Sequence, residues 1–366
     1  MTINDICQLF DIKGSYISCK EISTGNINNT YYVRYLNGGE RHNYILQRIN
    51  KDVFKAPERV MDNIVRVTDY IHAKIEMQGL PTHNSVLHVF NDKKTGKPFL
   101  VDNFGDYWRC YLFIDNSVTY NSTTDLNIIQ EVGKAFGSFQ NALDGFDAKS
   151  LYIAIPDFHN TPKRYIAFQK SVKKDRKHRV NTVKKEIERI MAFKEKASKL
   201  QSLLDEGKLP VRVTHNDTKC NNVCFDKCTN ESLAVLDLDT VMPGAIAFDF
   251  GDAVRSIAST CEEDNPDFKS VMLDLDKYRA FTEGFVTEVK DKLTDLEKKT
   301  LNDGVFTLTV ELAMRFLNDY IDGDNYFKTS YPGHNLDRAR NQLALAEDML
   351  IKKTEMDAIL EEFLRS

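Results

Sequence analysis

The spacing of hydrophobic and polar positions changes near residue 115. Before that point, short runs rich in β-branched and aromatic residues alternate with turns that contain Gly and Asn, which is typical of antiparallel strands. The strand-like runs are residues 15–22, 30–35, 43–49, 85–90, 98–103 and 107–114. A helix is predicted to begin near Pro57, because apolar residues then recur at three- and four-residue spacing.

After residue 115, helical spacing dominates, and only the stretch 211–238 interrupts it with β-branched runs. The helices are predicted over residues 126–143, 180–204, 277–292, 297–320 and 336–363. The pattern therefore predicts an α+β fold with two lobes. It divides the chain into a small β-rich N-terminal lobe, 1–115, and a larger helical C-terminal lobe, 116–366.

Composition narrows the class of protein. A chain of 366 residues with 42% hydrophobic and 28% charged residues is an ordinary globular chain that can bury a large core. A net charge of -5 argues against a broad affinity for nucleic acid. The first residues lack the apolar stretch of a secretory signal, and no apolar run is long enough to cross a membrane. With seven scattered cysteines, we expect a cytoplasmic protein with reduced thiols.

Two local clusters have more than one interpretation. Cys220, Cys224 and Cys228 lie at intervals of four but lack the second pair of a usual zinc site, so separate thiols are favoured. The basic stretch 173–179 resembles a nucleic-acid patch. It leads into an apolar stripe at helical spacing, which favours the solvated face of an amphipathic helix.

One set of polar residues has the spacing of a phosphotransfer site. An H-x-D triplet begins at His215 and ends at Asp217, Asn222 follows five residues later, and Asp237 and Asp239 close an apolar run. A carboxylate on a loop can orient an acceptor hydroxyl and take its proton, which suits Asp217. An amide oxygen and a carboxylate suit Mg²⁺, which points to Asn222 and Asp237. The triplet alone arises by chance, whereas the complete set favours a kinase, with His215 holding the loop.

These residues resemble the motifs of the aminoglycoside-phosphotransferase/choline-kinase superfamily. The segments that carry this resemblance are 215–222, 236–239 and 248–252. Longer segments are similar to the N-acetylhexosamine 1-kinases of that superfamily, namely 44–50, 212–219, 236–244, 314–317 and 319–320. The resemblance implies a bilobal protein-kinase-like fold, ATP and Mg²⁺. It implies that the lobe 1–115 binds nucleotide and that the lobe 116–366 carries catalysis and substrate binding. It also implies transfer to the anomeric hydroxyl of N-acetylglucosamine or N-acetylgalactosamine, a reaction of carbohydrate metabolism.

The nucleotide side is less distinct in the sequence. Residues 23–30 lie between two strands, where a kinase places the loop that covers the phosphates, but a single glycine suits a plain hairpin equally well. By resemblance, Asn28 and Thr30 belong to the nucleotide loop. Asn26 is a candidate substrate contact, at a position where the similar kinases have His.

The resemblance also assigns residues to the phosphates and to adenine. Arg48 would replace the usual lysine on the α- and β-phosphates, with Glu58 or Asp62 as its acidic partner. Acids at such positions are more often plain surface charges of a helix. Phe113 and Asp115 belong to the connection between the lobes, which would offer its backbone to adenine.

On the acceptor side, Arg315 and Tyr326 match positions that hold substrate in the similar kinases. The alternative for Arg315 is an intrahelical ion pair with Asp319, four residues on. His159 with Arg164, and Trp108 with Arg109, are further candidates for sugar or phosphate contacts, although a lone Trp at a strand start is typical of a core. Asp249 is expected to hold the catalytic loop by hydrogen bonds, and Asp239 to be a second metal or water ligand.

Three functions follow from these patterns. The first is an ATP- and Mg²⁺-dependent sugar 1-kinase. The second is a kinase for another small metabolite, such as choline or homoserine. The third is a binding protein without activity on a kinase scaffold, because a fold alone does not establish activity. The sequence leaves the preferred epimer, the nucleotide selectivity and the oligomeric state open.

Overall fold

The computed structural model of the chain describes residues 1–22 and 27–365. Asn26, and with it the first part of the predicted nucleotide loop, lies outside the described residues. The chain forms two units. Unit 1 comprises Met1–Thr119, Gly145–Ile155 and Val223–Met242, and unit 2 comprises Tyr120–Asp144, Pro156–Asn222 and Pro243–Ser366. The functional lobes 1–115 and 116–366 stay a prediction.

Most of the strands lie in unit 1. The strands are β1 (Ser15–Ile22), β2 (Asn29–Asn37), β3 (Glu40–Arg48), β4 (Val89–Phe90), β5 (Leu100–Val101), β6 (Tyr107–Leu112), β7 (Ser117–Val118), β8 (Arg212–Thr214), β9 (Val223–Asp226), β10 (Ser232–Val235) and β11 (Met242–Gly244). Strand β8 belongs to unit 2, and β11 begins at the last residue of a segment of unit 1 and continues into unit 2. One antiparallel sheet has the order β1-β2-β3-β6-β4, with β5 also on β6, and a second has the order β10-β9-β7. In the first sheet Gln47 of β3 lies opposite Arg109 of β6.

Helices make up most of unit 2. They are α1 (Ile3–Cys7), α2 (Pro57–Met77), α3 (Leu126–Ala142), α4 (Thr161–Lys174), α5 (Lys184–Ala192), α6 (Lys194–Asp205), α7 (Ile246–Ile257), α8 (Leu275–Val289), α9 (Asp295–Asp322), α10 (His334–Ile351) and α11 (Lys353–Arg365), of which α1 and α2 belong to unit 1. No helix within the described ranges is long and apolar enough to span a membrane.

The core of unit 1 follows from the alternation of its strands. Inward positions of β2 and β3 are apolar or aromatic, and α1 covers them, while Trp108 of β6 is buried in the same core as predicted. The helix α2 begins at Pro57, a residue suited to a first helical turn. Its predicted apolar stripe is buried throughout, at Val60, Ile64, Val67 and Ile71.

The core of unit 2 is built around α9. This helix begins with a capping box between Thr294 and Glu297 and ends at Gly323, whose φ of 107° suits glycine. Side chains from α4, α5 and α10 pack against it, including Phe168, Ile190 and Leu343. The long helix is therefore the support for the loops at the edges of unit 2.

Several predicted elements differ in the structure. The predicted helix 180–204 is two helices that meet at Phe193, and 336–363 is two helices that meet at Lys352. The predicted strands 85–90 and 98–103 shrink to two residues each, β4 and β5. Helix α7 was not predicted from the sequence. Every residue of it except Ser256 is buried, including the charged residues Asp249, Asp252 and Arg255.

Candidate active site

The H-x-D triplet lies on a loop between β8 and a tight helical turn, Cys220–Asn222, all within unit 2. Strand β8 ends at Thr214, and the chain reverses at Asn216, whose φ of 65° is left-handed. Asn adopts that conformation more readily than most residues. The turn is therefore built into the sequence immediately before Asp217.

Asp249 of α7 holds this loop by its main chain. The backbone N–H groups of His215 and Asn216 each donate to one of its carboxylate oxygens at 2.8 Å. The Nε2 amide of Gln140 donates to the same carboxylate at 2.6 Å. Burial raises the pKa of Asp249, and the charge of His215 and these hydrogen bonds oppose that shift. The predicted loop-holding role of Asp249 is confirmed.

A second carboxylate of α7 holds the other side of the loop. Asp252 accepts the backbone N–H of Thr218 at 3.0 Å, and the Thr218 hydroxyl donates to the backbone carbonyl of Asp249 at 2.6 Å. Asp252 is itself paired with Arg255 at 2.8 Å. Because residues three apart share a helix face, α7 presents Asp249 and Asp252 to the loop together.

The Asp217 carboxylate is the most accessible acid of the loop, with 28% of its side chain exposed. Its Oδ1 lies 2.7 Å from the Lys219 ammonium, and its Oδ2 accepts from the Asn222 amide at 3.2 Å. Its own N–H donates to Nδ1 of the buried His215 at 3.3 Å. A carboxylate fixed by its neighbours yet open to solvent can accept a proton from a bound hydroxyl.

The predicted metal ligands each offer an oxygen. The Asn222 Nδ2 group donates to the Asp217 carbonyl at 2.8 Å, so the amide is oriented and its Oδ1 is the atom left for a cation. Asp237 follows β10 with a left-handed φ of 55° and belongs to unit 1. Among the described residues, no group of three or more His, Cys, Asp or Glu side chains is placed to hold a metal. An amide oxygen with a carboxylate fits Mg²⁺, which keeps several waters.

Within unit 1, Asp239 forms an ion pair with Arg109. Both side chains are buried, with 1% of Arg109 and 4% of Asp239 exposed. The other Asp239 oxygen accepts from the Asn28 amide at 2.7 Å. Burial lowers the pKa of Arg109, but the nearby acids Asp239 and Asp237 outweigh it and the pKa is raised. Asp239 is therefore engaged in protein contacts, and its expected role as a second metal or water ligand stays a prediction.

Hydrogen bonds connect this ion pair to neighbouring strands of the sheet. The Arg109 Nε donates to Gln47 at 2.9 Å, and the Gln47 amide donates to the Thr30 hydroxyl at 3.1 Å. From α2, Asn63 donates to the Val241 carbonyl at 3.0 Å. The predicted nucleotide-loop residues Asn28 and Thr30 thus belong to one hydrogen-bonded network with Asp239. The sequence feature that singles out Arg109 is its position inside an otherwise apolar strand.

The half-exposed Arg48 of β3 has an acidic partner other than the two expected. Its guanidinium is 3.4 Å from the Asp106 carboxylate and donates to the Asn29 side chain at 2.9 Å. Asp62, one of the two expected partners, lies 3.7 Å from Arg66 on its own helix. The expectation of an acid on α2 as the partner of Arg48 is wrong for Asp62, because the side chain one turn away is closer.

The segment after β6 is fixed by Asn43. The N–H of Phe113 donates to the Asn43 carbonyl at 3.0 Å, and the Asn43 amide donates to the Asp115 carboxylate at 2.8 Å. The Phe113 ring packs edge-on against Tyr32, with 5.1 Å between the ring centroids. With its N–H already used, Phe113 has its carbonyl to offer to an adenine.

Arg315 of α9 is surrounded by aromatic rings. Its guanidinium carbon lies 5.6 Å from the ring centroid of Phe158, 5.8 Å from that of Tyr326 and 5.4 Å from that of Phe327. The Asp319 carboxylate instead accepts the backbone N–H groups of residues 325, 326 and 327, each at 2.9 Å. The intrahelical ion pair between Arg315 and Asp319 is therefore wrong as an explanation of Arg315.

A buried acid lies beside this arginine. Glu311 contacts Arg164 Nε at 3.2 Å and His159 Nδ1 at 2.9 Å, and it accepts from the Thr161 hydroxyl at 2.9 Å. Burial raises the pKa of Glu311, but Arg164 and His159 outweigh burial and the pKa is lowered. The other ring nitrogen of His159 lies 3.4 Å from the carbonyl of Asn216. This cluster therefore reaches the catalytic loop.

The three clustered cysteines are free thiols in different settings. Cys220 and Cys224 are buried and Cys228 is exposed. Burial raises the pKa of Cys220 to about 11, so its thiol is protonated at neutral pH.

A family model and several solved structures match the chain. The model of the phosphotransferase enzyme family, APH, matches residues 18–281. A microcompartment-associated aminopropanol kinase is 15% identical, with 97% of each chain covered and a TM-score of 0.58. The choline kinase of Cryptosporidium parvum Iowa II is 14% identical, with 100% of this chain and 99% of that chain covered and a TM-score of 0.59.

A third similar structure is a spectinomycin phosphotransferase in complex with ADP and spectinomycin. It is 12% identical, with 94% of this chain and 96% of that chain covered and a TM-score of 0.55. At these identities the likeness concerns the fold. The predicted α+β, bilobal, protein-kinase-like fold is confirmed by the β-sheet region, the helical part and these neighbours.

Proposed function

The chain belongs to the phosphotransferase enzyme family, and we propose that it phosphorylates the anomeric hydroxyl of N-acetylhexosamines. Family and neighbours together make it a small-molecule kinase. The phosphoryl donor in the proposal is ATP, in keeping with the ADP bound by the similar spectinomycin phosphotransferase. The product is the sugar 1-phosphate.

On the donor side, we assign Asn28, Thr30, Arg48, Phe113 and Asp115 to the nucleotide. We assign Mg²⁺ to Asn222 and Asp237, since each provides a hard oxygen donor. When bound, Mg²⁺ neutralises charge on the triphosphate oxygens.

Asp217 performs the acid–base work in this proposal. Its carboxylate accepts the hydroxyl proton while the hydroxyl oxygen attacks the γ-phosphorus, and ADP leaves with the electron pair of the broken bond. An anomeric hydroxyl is more acidic than most alcohols, so one carboxylate base is adequate. His215, Asp249 and Asp252 contribute by holding the loop, which keeps the base in place.

The choice of a sugar as the acceptor rests on the surroundings of the Arg315 side chain. Among the residues that the structure describes, this half-buried guanidinium has no hydrogen-bond acceptor, although it carries five N–H donors. Tyr326, 66% exposed, lies beside it. Hydroxyl and acetamido oxygens of a sugar are suitable acceptors for such a group.

A second candidate acceptor is a cationic amino alcohol. The aminopropanol and choline kinases among the similar structures favour it, as do the aromatic rings at Phe158, Tyr326 and Phe327. However, Arg315 already faces those rings, and Arg164 adds a second positive charge beside the acid Glu311. A cation would be repelled there, so the uncharged sugar is preferred.

The test is ADP release from ATP and Mg²⁺ with a panel of N-acetylglucosamine, N-acetylgalactosamine, glucose, choline and homoserine. We expect turnover on the acetamido sugars and a phosphate on C1, identified by NMR. Asp217→Asn should lower kcat about 100-fold or more. The matched control is Asp291→Asn at an exposed site, which should leave kcat unchanged. Turnover only on choline or homoserine would overturn the sugar assignment.

A further inference from the structure

The basic residue that touches the Asp217 carboxylate has no role in the reaction as described so far. Lys219 follows Asp217 by two residues, and its ammonium lies 2.7 Å from Oδ1 of that acid. The negative charge of Asp217 is the largest cause of a raised pKa at Lys219. With 47% of its side chain exposed, Lys219 is free to move a short distance when the acid takes another partner.

Three arginines of unit 2 are engaged in ion pairs with other acids, and Arg315 lies among aromatic rings. Arg212 pairs with Glu297 at 2.5 Å, Arg255 with Asp252 at 2.8 Å, and Arg164 with Glu311 at 3.2 Å. Within the described part of unit 2, Lys219 is the basic side chain in contact with the Asp217 carboxylate. Any cation that acts at this carboxylate from the catalytic loop is therefore Lys219.

The position of the ammonium relative to the base limits where it can act. An acceptor hydroxyl bound to Asp217 sits one hydrogen bond from the carboxylate, as Lys219 does. Two donors on one carboxylate oxygen are then separated by roughly 4 to 5 Å. The phosphoryl oxygens attached to that hydroxyl oxygen during transfer extend further, so an ammonium at this distance can bond one of them.

We propose that Lys219 is a catalytic residue that stabilises the negative charge on the phosphoryl group during its transfer, an inference that rests on the proposed phosphotransferase function. In the step, the acceptor O–P bond forms and the bond between the γ-phosphorus and the bridging oxygen breaks. The bridging oxygen keeps that electron pair as part of ADP, and the hydroxyl proton goes to Asp217. Lys219 remains protonated and bonds a non-bridging oxygen of the moving group.

A different role for the same ion pair makes the opposite prediction. If Lys219 only blocked Asp217 in the resting enzyme, its removal would free the base and leave kcat unchanged or higher. If Lys219 stabilises the moving group, its removal lowers kcat and spares the binding of nucleotide in its ground state. Activity and binding together therefore separate the two roles.

The experiment compares the full-length wild type with Lys219→Met, Lys219→Arg and Lys208→Met. Lys208 pairs with Glu206 at 2.6 Å on the surface, so its variant controls for loss of an exposed ion pair. Calorimetry measures ADP binding in the presence of Mg²⁺, with and without aluminium fluoride, which mimics the phosphoryl group in transfer. Steady-state kinetics on the best acceptor of the panel gives kcat, and thermal melts check folding.

We expect Lys219→Met to lower kcat about 10- to 100-fold, in the range of a lost charge-stabilising donor. ADP affinity should stay within about twofold of wild type, while the gain in affinity with aluminium fluoride should fall at least about tenfold. Lys219→Arg should keep most of the kcat and most of the gain in affinity with aluminium fluoride. Lys208→Met should match wild type. An unchanged or higher kcat in Lys219→Met, or an unchanged fluoride gain, overturns the inference alone. A wild type with neither turnover nor fluoride gain overturns the proposed function as well.

Discussion

The guanidinium of Arg109 and the carboxylate of Asp239 form an ion pair in which both side chains are almost completely buried. Arg109 lies in the middle of a strand, and Asp239 lies in the short turn that follows Asp237. Since Asn28 bonds the other oxygen of Asp239, one buried contact joins three segments that are assigned to nucleotide and metal. The ion pair therefore stabilises the arrangement of these three segments within unit 1.

Removing one member of this pair should cost much stability. Arg109→Met leaves a buried carboxylate without its cation, and we expect a loss of about 3–5 kcal/mol in the free energy of unfolding. Urea denaturation at neutral pH measures it. The double variant Arg109→Met with Asp239→Asn should recover a large part of the loss. The exposed pair of Arg48 with Asp106 is the control, since Arg48→Met should cost about 1 kcal/mol or less. Equal effects of the two arginines would contradict the burial argument.

Glu311 should make stability depend on pH in acid. Its pKa is lowered in the folded state, so the unfolded chain binds the proton more readily between the folded pKa and the unfolded value, about 4.3. Its contribution is complete above the unfolded value and is lost as pH falls through the folded pKa. The gap in unfolding free energy between wild type and Glu311→Gln should therefore be widest near neutral pH and narrow below about pH 4.

Urea titrations at pH 7, 5 and 3.5 test this expectation. Glu347→Gln, which removes the half-exposed pair with Arg189, should give a small gap at every pH. A gap for Glu311→Gln that stays constant down to pH 3.5 would mean that folding leaves the pKa of Glu311 at its unfolded value.

Replacing Arg315 should weaken the binding of the acceptor and leave the binding of ATP almost unchanged. Arg315→Ala removes donors from the ring cluster, and we expect KM for the acceptor to rise about tenfold or more. KM for ATP should change less than about twofold. Arg340→Ala, which removes a pair with Glu186 at 2.7 Å, is the matched control on α10. A larger rise in KM for ATP than for the acceptor would reassign Arg315 to the nucleotide.

The crossing of α7 and α9 should tolerate no added methyl group. A Cβ at Gly304 would lie 1.9 Å from the Ala247 carbonyl oxygen, which is backbone and cannot move aside cheaply. We expect Gly304→Ala to lower the free energy of unfolding by about 1–3 kcal/mol despite its better helix propensity. Lys299→Ala, at an exposed position of the same helix, should change it little. A stabilised Gly304→Ala variant would show that the two helices can separate at that point.

The sequence predicts well those features that depend on local spacing. The strands β1, β2 and β3 and the start of α2 follow from alternation and from Pro57, and the loop around Asp217 follows from a motif of a few residues. Contacts between residues far apart in the chain could not be predicted from the sequence. Arg109 and Asp239 are 130 residues apart, and no spacing rule joins them. Arg315 and Asp319 have ideal helical spacing, yet Asp319 turns to the main chain of the next loop.

That choice of partner by Asp319 makes residues 326 and 327 good positions for redesign. Because the acid bonds main-chain N–H groups and leaves the side chains alone, exchanges at Tyr326 and Phe327 keep the anchoring of the loop. A library limited to these two positions would vary the wall beside Arg315 while the backbone stays fixed. Selection from such a library could redirect the kinase toward new acceptors without removing the main-chain hydrogen bonds of Asp319.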